Sequence, residues 1–145
     1  MRLAARVLAI AFFSGACATS RGAPEYLASS SGPPRPFSPV VRANGLVFLA
    51  GQLGTDSTGR VVPGGIQSET RQAMENIRSL LTRSGTSLDR VVKCTVFLAD
   101  MREWAAMNEV YTTFFAVGRR PARTAAGANG LALNGRVEIE CIAAD

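Results

Sequence analysis

The sequence predicts a single α+β domain. Three observations carry this. Residues 66–84 place apolar side chains at three- and four-residue steps, the period of an amphipathic helix. Residues 136–143 alternate strictly, with Val137, Ile139 and Cys141 on one face and Glu138 and Glu140 on the other, the period of a half-buried strand. A second helical stripe, from Asp100 to Gly118, lies between two further strand-like runs. Strands and helices interleave in the order β-β-α-β-α-β-β, which predicts a mixed sheet with both helices on one face. The opposite sheet face then meets solvent or another subunit.

In chain order, residues 1–16 do not read as part of the domain. Arg2 and Arg6 precede an apolar run, Val7 to Phe13, which is far shorter than the ~20 residues of a membrane-spanning helix. Small residues follow, the layout of a secretory signal. Ser14-Gly15-Ala16-Cys17 resembles a bacterial lipobox, which would make Cys17 a lipidated first residue. Ala16-Cys17-Ala18 also fits an ordinary signal-peptidase site. The expectation is therefore an exported, periplasmic protein, lipid-anchored if Cys17 is acylated. Residues 17–35 are rich in Ser, Pro, Gly and Ala and read as a flexible tether to a domain spanning 36–145.

Asn44-Gly45 is a hairpin-turn dipeptide between Phe37–Arg42 and Leu46–Gly51. In the first helix Ile66, Thr70, Ala73, Met74, Ile77, Leu80 and Leu81 form the inner face, and Gly85 is the natural residue past its end. Val91–Leu98 is a β-branched run. Asp100 can cap the second helix, with Glu103 completing a capping-box pattern. Trp104, Met107, Tyr111, Phe114 and Phe115 form its stripe, read as core. Pro121–Ala128 and Arg136–Ala143 are the last strands. Cys94 and Cys141 sit in separate strand runs. Export permits a bridge between them, but their positions read first as small buried side chains.

Composition narrows the chemistry. The 145 residues contain no histidine, so His-based triads, His-ligated metals and imidazole acid–base catalysis are excluded. The net charge of +5 is modest, and Lys and Arg form no run, so no nucleic-acid partner is expected. Glu69, Glu75, Glu103 and Glu109 read as solvated helix residues. Glu138 and Glu140 differ: two apart on one strand, they share a face at about 7 Å. Arg123 opens the strand taken to neighbour them, and its guanidinium fork suits a carboxylate ligand. Taken singly, each also fits an ordinary surface position.

Several segments together resemble the RidA/YjgF family of reactive-intermediate deaminases. They are Pro36-Phe37-Ser38-Pro39-Val40-Val41, Phe48-Leu49-Ala50-Gly51-Gln52, Val92 to Leu98, Met107-Asn108-Glu109-Val110-Tyr111 through Phe115, Arg120-Pro121-Ala122-Arg123-Thr124, and Val137 to Ala143. They span 36–145 in order. The resemblance implies a chorismate-mutase-like fold, a homotrimer packed through the sheets, clefts between subunits and no cofactor or metal. It implies that Arg123 grips a small substrate's carboxylate and that Glu138, rather than Glu140, directs the attacking water. Asn108 is a positioning residue in this scheme, and Phe37, Gly51, Gln52 and Ala125 line the cleft. Ala50, Phe37 and Ala125 depart from the hydroxyl residue, tyrosine and cysteine that family members often carry there, which makes the lining more apolar. The function implied is hydrolysis of 2-imino or 2-enamino acids to 2-oxo acids and ammonia. The rival readings are a binder of small carboxylates and, less favoured, an endoribonuclease.

Overall fold

The structure, a computed structural model, describes residues 22–28 and 35–145. Residues 1–16, read from the sequence as a secretory signal, and Cys17 lie outside the described residues. Strands β1 (Glu25–Leu27), β2 (Val40–Ala43), β3 (Leu46–Leu49) and β4 (Gln52–Leu53) come first. Helix α1 (Gly65–Arg83) leads to β5 (Val91–Leu98), α2 (Trp104–Tyr111), β6 (Ala122–Gly127) and β7 (Val137–Ala144). The sheet order is β1-β2-β3-β7-β5-β6, with β4 also pairing β7. Only β5 and β6 run parallel among these pairs, joined by the α2 crossover; the other neighbours are antiparallel. The α+β class and the mixed sheet are as the sequence predicts.

Local chemistry explains the element ends. Asn44 and Gly45 take φ of 51° and 75°, the two left-handed residues of a tight hairpin turn between β2 and β3. Gly85 at φ 78° donates its N–H to the Thr82 carbonyl and closes α1. Asp100 accepts the Arg102 backbone N–H at 2.9 Å and so starts the turn that leads into α2. Glu103 does not reach back to complete a capping box; its carboxylate takes the Arg136 guanidinium instead.

One sheet face packs on the helices. Val47, Leu49, Val96, Leu98, Val137, Ile139, Cys141 and Ala143 meet Ala73, Met74, Ile77 and Leu81 of α1 and Met107 and Tyr111 of α2. Burial of this face is the main stabilising term. The other face carries Phe48, Thr95, Phe97, Glu138 and Glu140, all at least partly exposed.

Four expectations change. Cys94 and Cys141 are buried, but they are also bonded to each other: they face one another in the β5–β7 register and form a disulfide. Glu69 is not solvated. It is 4% exposed, and its carboxylate accepts the Arg136 backbone N–H at 2.7 Å. Trp104 is not core; it is 44% exposed, while Met107, Tyr111 and Phe115 on the same stripe are buried. Residues Glu25–Leu27, within the stretch read as a tether, form β1 against β2.

Candidate functional site

The predicted site residues fall into two groups. The first is built by β6 and α2. Arg123 is the register partner of Cys94, so its side chain lies on the helix side of the sheet. It points at α2, where its Cζ stands 4.7 Å from the Tyr111 ring centre and 5.9 Å from the Trp104 ring centre. Two aromatic faces therefore hold the guanidinium by cation–π attraction. Among the described residues, no carboxylate lies within ion-pair distance of Arg123. Its guanidinium also makes no hydrogen bond among the described residues, which leaves its N–H donors available to a ligand.

The helix spacing of Trp104, Asn108 and Tyr111 puts all three on one face of α2. The Asn108 Oδ1 and the Tyr111 hydroxyl are buried without a hydrogen-bond partner among the described residues. Unpaired buried polar atoms are uncommon and costly, and clusters of them mark places where a ligand or water completes the bonding. Burial pushes the Tyr111 phenol up to about 12, partly opposed by the Arg123 charge. The phenol is thus a neutral donor throughout the physiological range. Ala125, two residues after Arg123, shares its side of the sheet and packs against the core with only a methyl group.

The second group gathers where β3 passes into β4. Gln52 Nε2 donates to the carbonyls of Ala50 and Gly51 at 2.9 and 3.0 Å and fixes this turn. The Ala50 N–H donates to the Pro39 carbonyl at 3.0 Å, which ties down the segment that carries Phe37. Phe37 is itself exposed, with the Arg35 guanidinium over its ring. Glu138 pairs with Leu53 and Phe97 in the neighbouring strands, and its carboxylate lies against the Gly51 backbone, in space that any Cβ at position 51 would occupy. Gly51 is therefore required by this close approach. Glu138 and Glu140 do share one face, as the alternation predicts.

One chain does not bring the two groups together. Strand β5 separates β6 from β7, so Arg123 is not on the strand next to Glu138. The residues sit two strands and three rows apart, roughly 14 Å by sheet spacings, and on opposite faces of the sheet. Sequence reasoning placed Trp104 and Tyr111 in the core and missed their contact with Arg123. Their spacing of seven on one helix, with Asn108 between, was the available signal.

A mixed sheet with two helices on one face, an arginine cradled by aromatics with no ion-pair partner among the described residues, and a glutamate over a glycine turn define the class, a mixed-sheet α+β domain. The comparisons name its lineage: the chain belongs to the RidA/YjgF family. The family model described as Endoribonuclease L-PSP matches residues 28–145. The chain is 42% identical over 109 residues to the 2-iminobutanoate/2-iminopropanoate deaminase of Mus musculus, covering 74% of this chain and 80% of that one. It is 43% identical over 109 residues to a RutC family protein of Pyrococcus horikoshii, covering 74% and 86%. Among solved structures, yeast Mmf1 superposes with a TM-score of 0.77 at 34% identity, covering 85% of this chain and 99% of that one. E. coli TdcF with bound serine gives 0.75 at 28% identity, covering 83% and 98%.

Proposed function

We propose that this chain hydrolyses small 2-imino and 2-enamino acids to 2-oxo acids and ammonia, without a cofactor, in a cleft shared by neighbouring copies of a homotrimer. The observation that carries the proposal is the Arg123 guanidinium, held by two aromatic rings and paired with no carboxylate among the described residues. A built arginine fork without a partner suits a carboxylate ligand. The deaminase name of the mouse relative and the serine bound to TdcF agree with a small carboxylate-bearing ligand.

The separation of the two groups supports the shared cleft. Arg123 of one copy binds the substrate carboxylate through two parallel N–H···O bonds. Glu138 of a neighbour, steadied over Gly51, takes a proton from water as the water oxygen bonds to the imine carbon. Glu138 returns that proton to the nitrogen, giving a carbinolamine; it then carries the carbinol O–H proton to the nitrogen as the C–N bond breaks and the C=O bond forms, releasing ammonia and the 2-oxo acid. The exposed sheet face with Phe48 and Phe97 is the surface available for packing between copies.

The test is release of ammonia or oxo acid from imines generated in situ by an amino-acid oxidase. Wild-type protein is expected to exceed the spontaneous rate and Arg123→Ala to fall to it. A wild-type rate at the spontaneous level refutes hydrolysis.

A second reading, a carboxylate binder without turnover, draws on the same separation: a lone chain completes only the clamp. It predicts ligand-induced stabilisation lost in Arg123→Ala and kept in Glu138→Ala, with no ammonia released. The RNA cleavage named in the family description finds less support, since the chain has neither histidine nor a run of basic residues.

We also propose that the protein is exported through residues 1–16, with Cys17 as the lipidation site. The Cys94–Cys141 disulfide supports an oxidising compartment. Metabolic labelling with a fatty-acid analogue tests it: label on wild type and none on Cys17→Ser is expected, and an unlabelled, unprocessed chain in the cytoplasm contradicts it.

A further inference from the structure

We infer that Trp104 selects the substrate's side chain, favouring 2-imino and 2-oxo acids with bulky apolar groups over the smallest members of the class. The inference rests on the carboxylate-clamp reading of Arg123.

The two rings that hold Arg123 are unequal. Tyr111 is 3% exposed and lies beneath the guanidinium as part of the core. Trp104 is 44% exposed, so much of its ring is left uncovered beside the same guanidinium. Its stripe position calls for burial, and Met107, Tyr111 and Phe115 on that stripe are buried. Part of the indole is therefore left open beside the guanidinium that would hold a ligand's carboxylate.

The surroundings are also apolar. Along β6 the residues on Arg123's side of the sheet are Ala125 and Gly127, which offer a methyl group and no side chain. Met101, 45% exposed, leans on Gly127: a Cβ there would meet its Cγ at 3.0 Å. Trp104 stands beside the clamp, and Ala125 and the Met101–Gly127 contact follow it along the same side of β6. An acid gripped through its carboxylate carries its side chain within a few ångströms of the guanidinium, the distance at which Trp104 stands. An isobutyl group laid on one indole face buries part of three extra carbons relative to methyl, which is worth about tenfold in affinity.

Trp104 is the single tryptophan of the chain, so its emission reports directly on this contact. The experiment titrates full-length protein with pyruvate and with 4-methyl-2-oxopentanoate. Tryptophan fluorescence is followed for wild type, and calorimetry for all variants. The branched acid is expected to change the emission saturably and to bind about tenfold more tightly than pyruvate. Trp104→Ala is expected to weaken both acids, the branched one more, bringing the two affinities within about twofold, and Trp104→Phe to restore most of the preference. Arg123→Ala is expected to abolish both.

Equal affinities in wild type overturn the inference and leave the clamp standing. A preference that survives Trp104→Ala overturns it too. Binding of neither acid overturns inference and clamp together. Emission that ignores ligand but changes on dilution places the indole against a second copy and overturns it as well. Turnover is measured separately, so absence of hydrolysis bears on the proposed activity and not on this selectivity.

Discussion

Replacing Cys94 and Cys141 together with alanine removes a cross-link between β5 and β7, the strands at the centre of the sheet. The bond joins residues 47 apart in sequence. In the chain-entropy treatment, closing a loop of that length restricts the unfolded chain enough to be worth about 4 kcal/mol at 25 °C. Exchanging two buried sulfurs for hydrogens also leaves a small void, adding about 1 kcal/mol. The expected loss is thus on the order of 5 kcal/mol, comparable with the whole stability of many domains of this size. Guanidinium chloride melts at fixed protomer concentration measure it, since any oligomer makes the midpoint depend on concentration. A Cys94→Ala/Cys141→Val pair separates the two contributions, because valine fills much of the void without restoring the bond. The reasoning fails if the double variant melts within about 1 kcal/mol of oxidised wild type. It also fails if thiol titration of the unfolded, unreduced protein finds both cysteines free.

Further outcomes follow from single contacts. Tyr111→Phe removes a buried hydroxyl that has no partner among the described residues, so stability at pH 7 should change little or rise slightly. In wild type the folded phenol titrates near 12 against about 10 unfolded, so its contribution is intact below pH 10 and is lost as pH rises toward 12. The wild-type minus Tyr111→Phe difference should therefore fall by about 2–3 kcal/mol across that window in melts taken at successive pH values. A flat difference contradicts the buried placement. Gly51→Ala puts a methyl group into the Glu138 carboxylate and should lower turnover at least tenfold with only a modest change in melting temperature. Glu69→Ala strands the Arg136 backbone N–H and should cost about 2–3 kcal/mol in denaturant melts.

Most of the fold was legible because its signals are local. The Asn44-Gly45 turn, the α1 stripe, Gly85 at its end and the alternation of β7 each depend on residues close in sequence. Strand β1 was not, because three exposed residues in a Ser- and Pro-rich stretch carry no alternation. The errors came from long-range contacts. Helical period alone shows Glu69 on α1; it does not show the chain of Arg136 folding over it. The strand run around Cys94 does not reveal that β7 lies beside β5, so the disulfide stayed one option among several. The same ignorance of strand order placed Arg123 next to Glu138, when β5 stands between them. Residue types and family resemblance selected the pair; the sheet order shows that one chain cannot join them.

That separation gives the most direct test. Arg123→Ala and Glu138→Gln should each abolish imine hydrolysis alone. If each cleft takes Arg123 from one copy and Glu138 from the next, unfolding the two variants together and refolding them as an equal mixture rebuilds complete clefts. Random assembly leaves about one cleft in four with both residues, so about a quarter of wild-type activity should return. Each variant refolded by itself should stay inactive. No recovery in a mixture shown to contain mixed oligomers would contradict a site shared between copies.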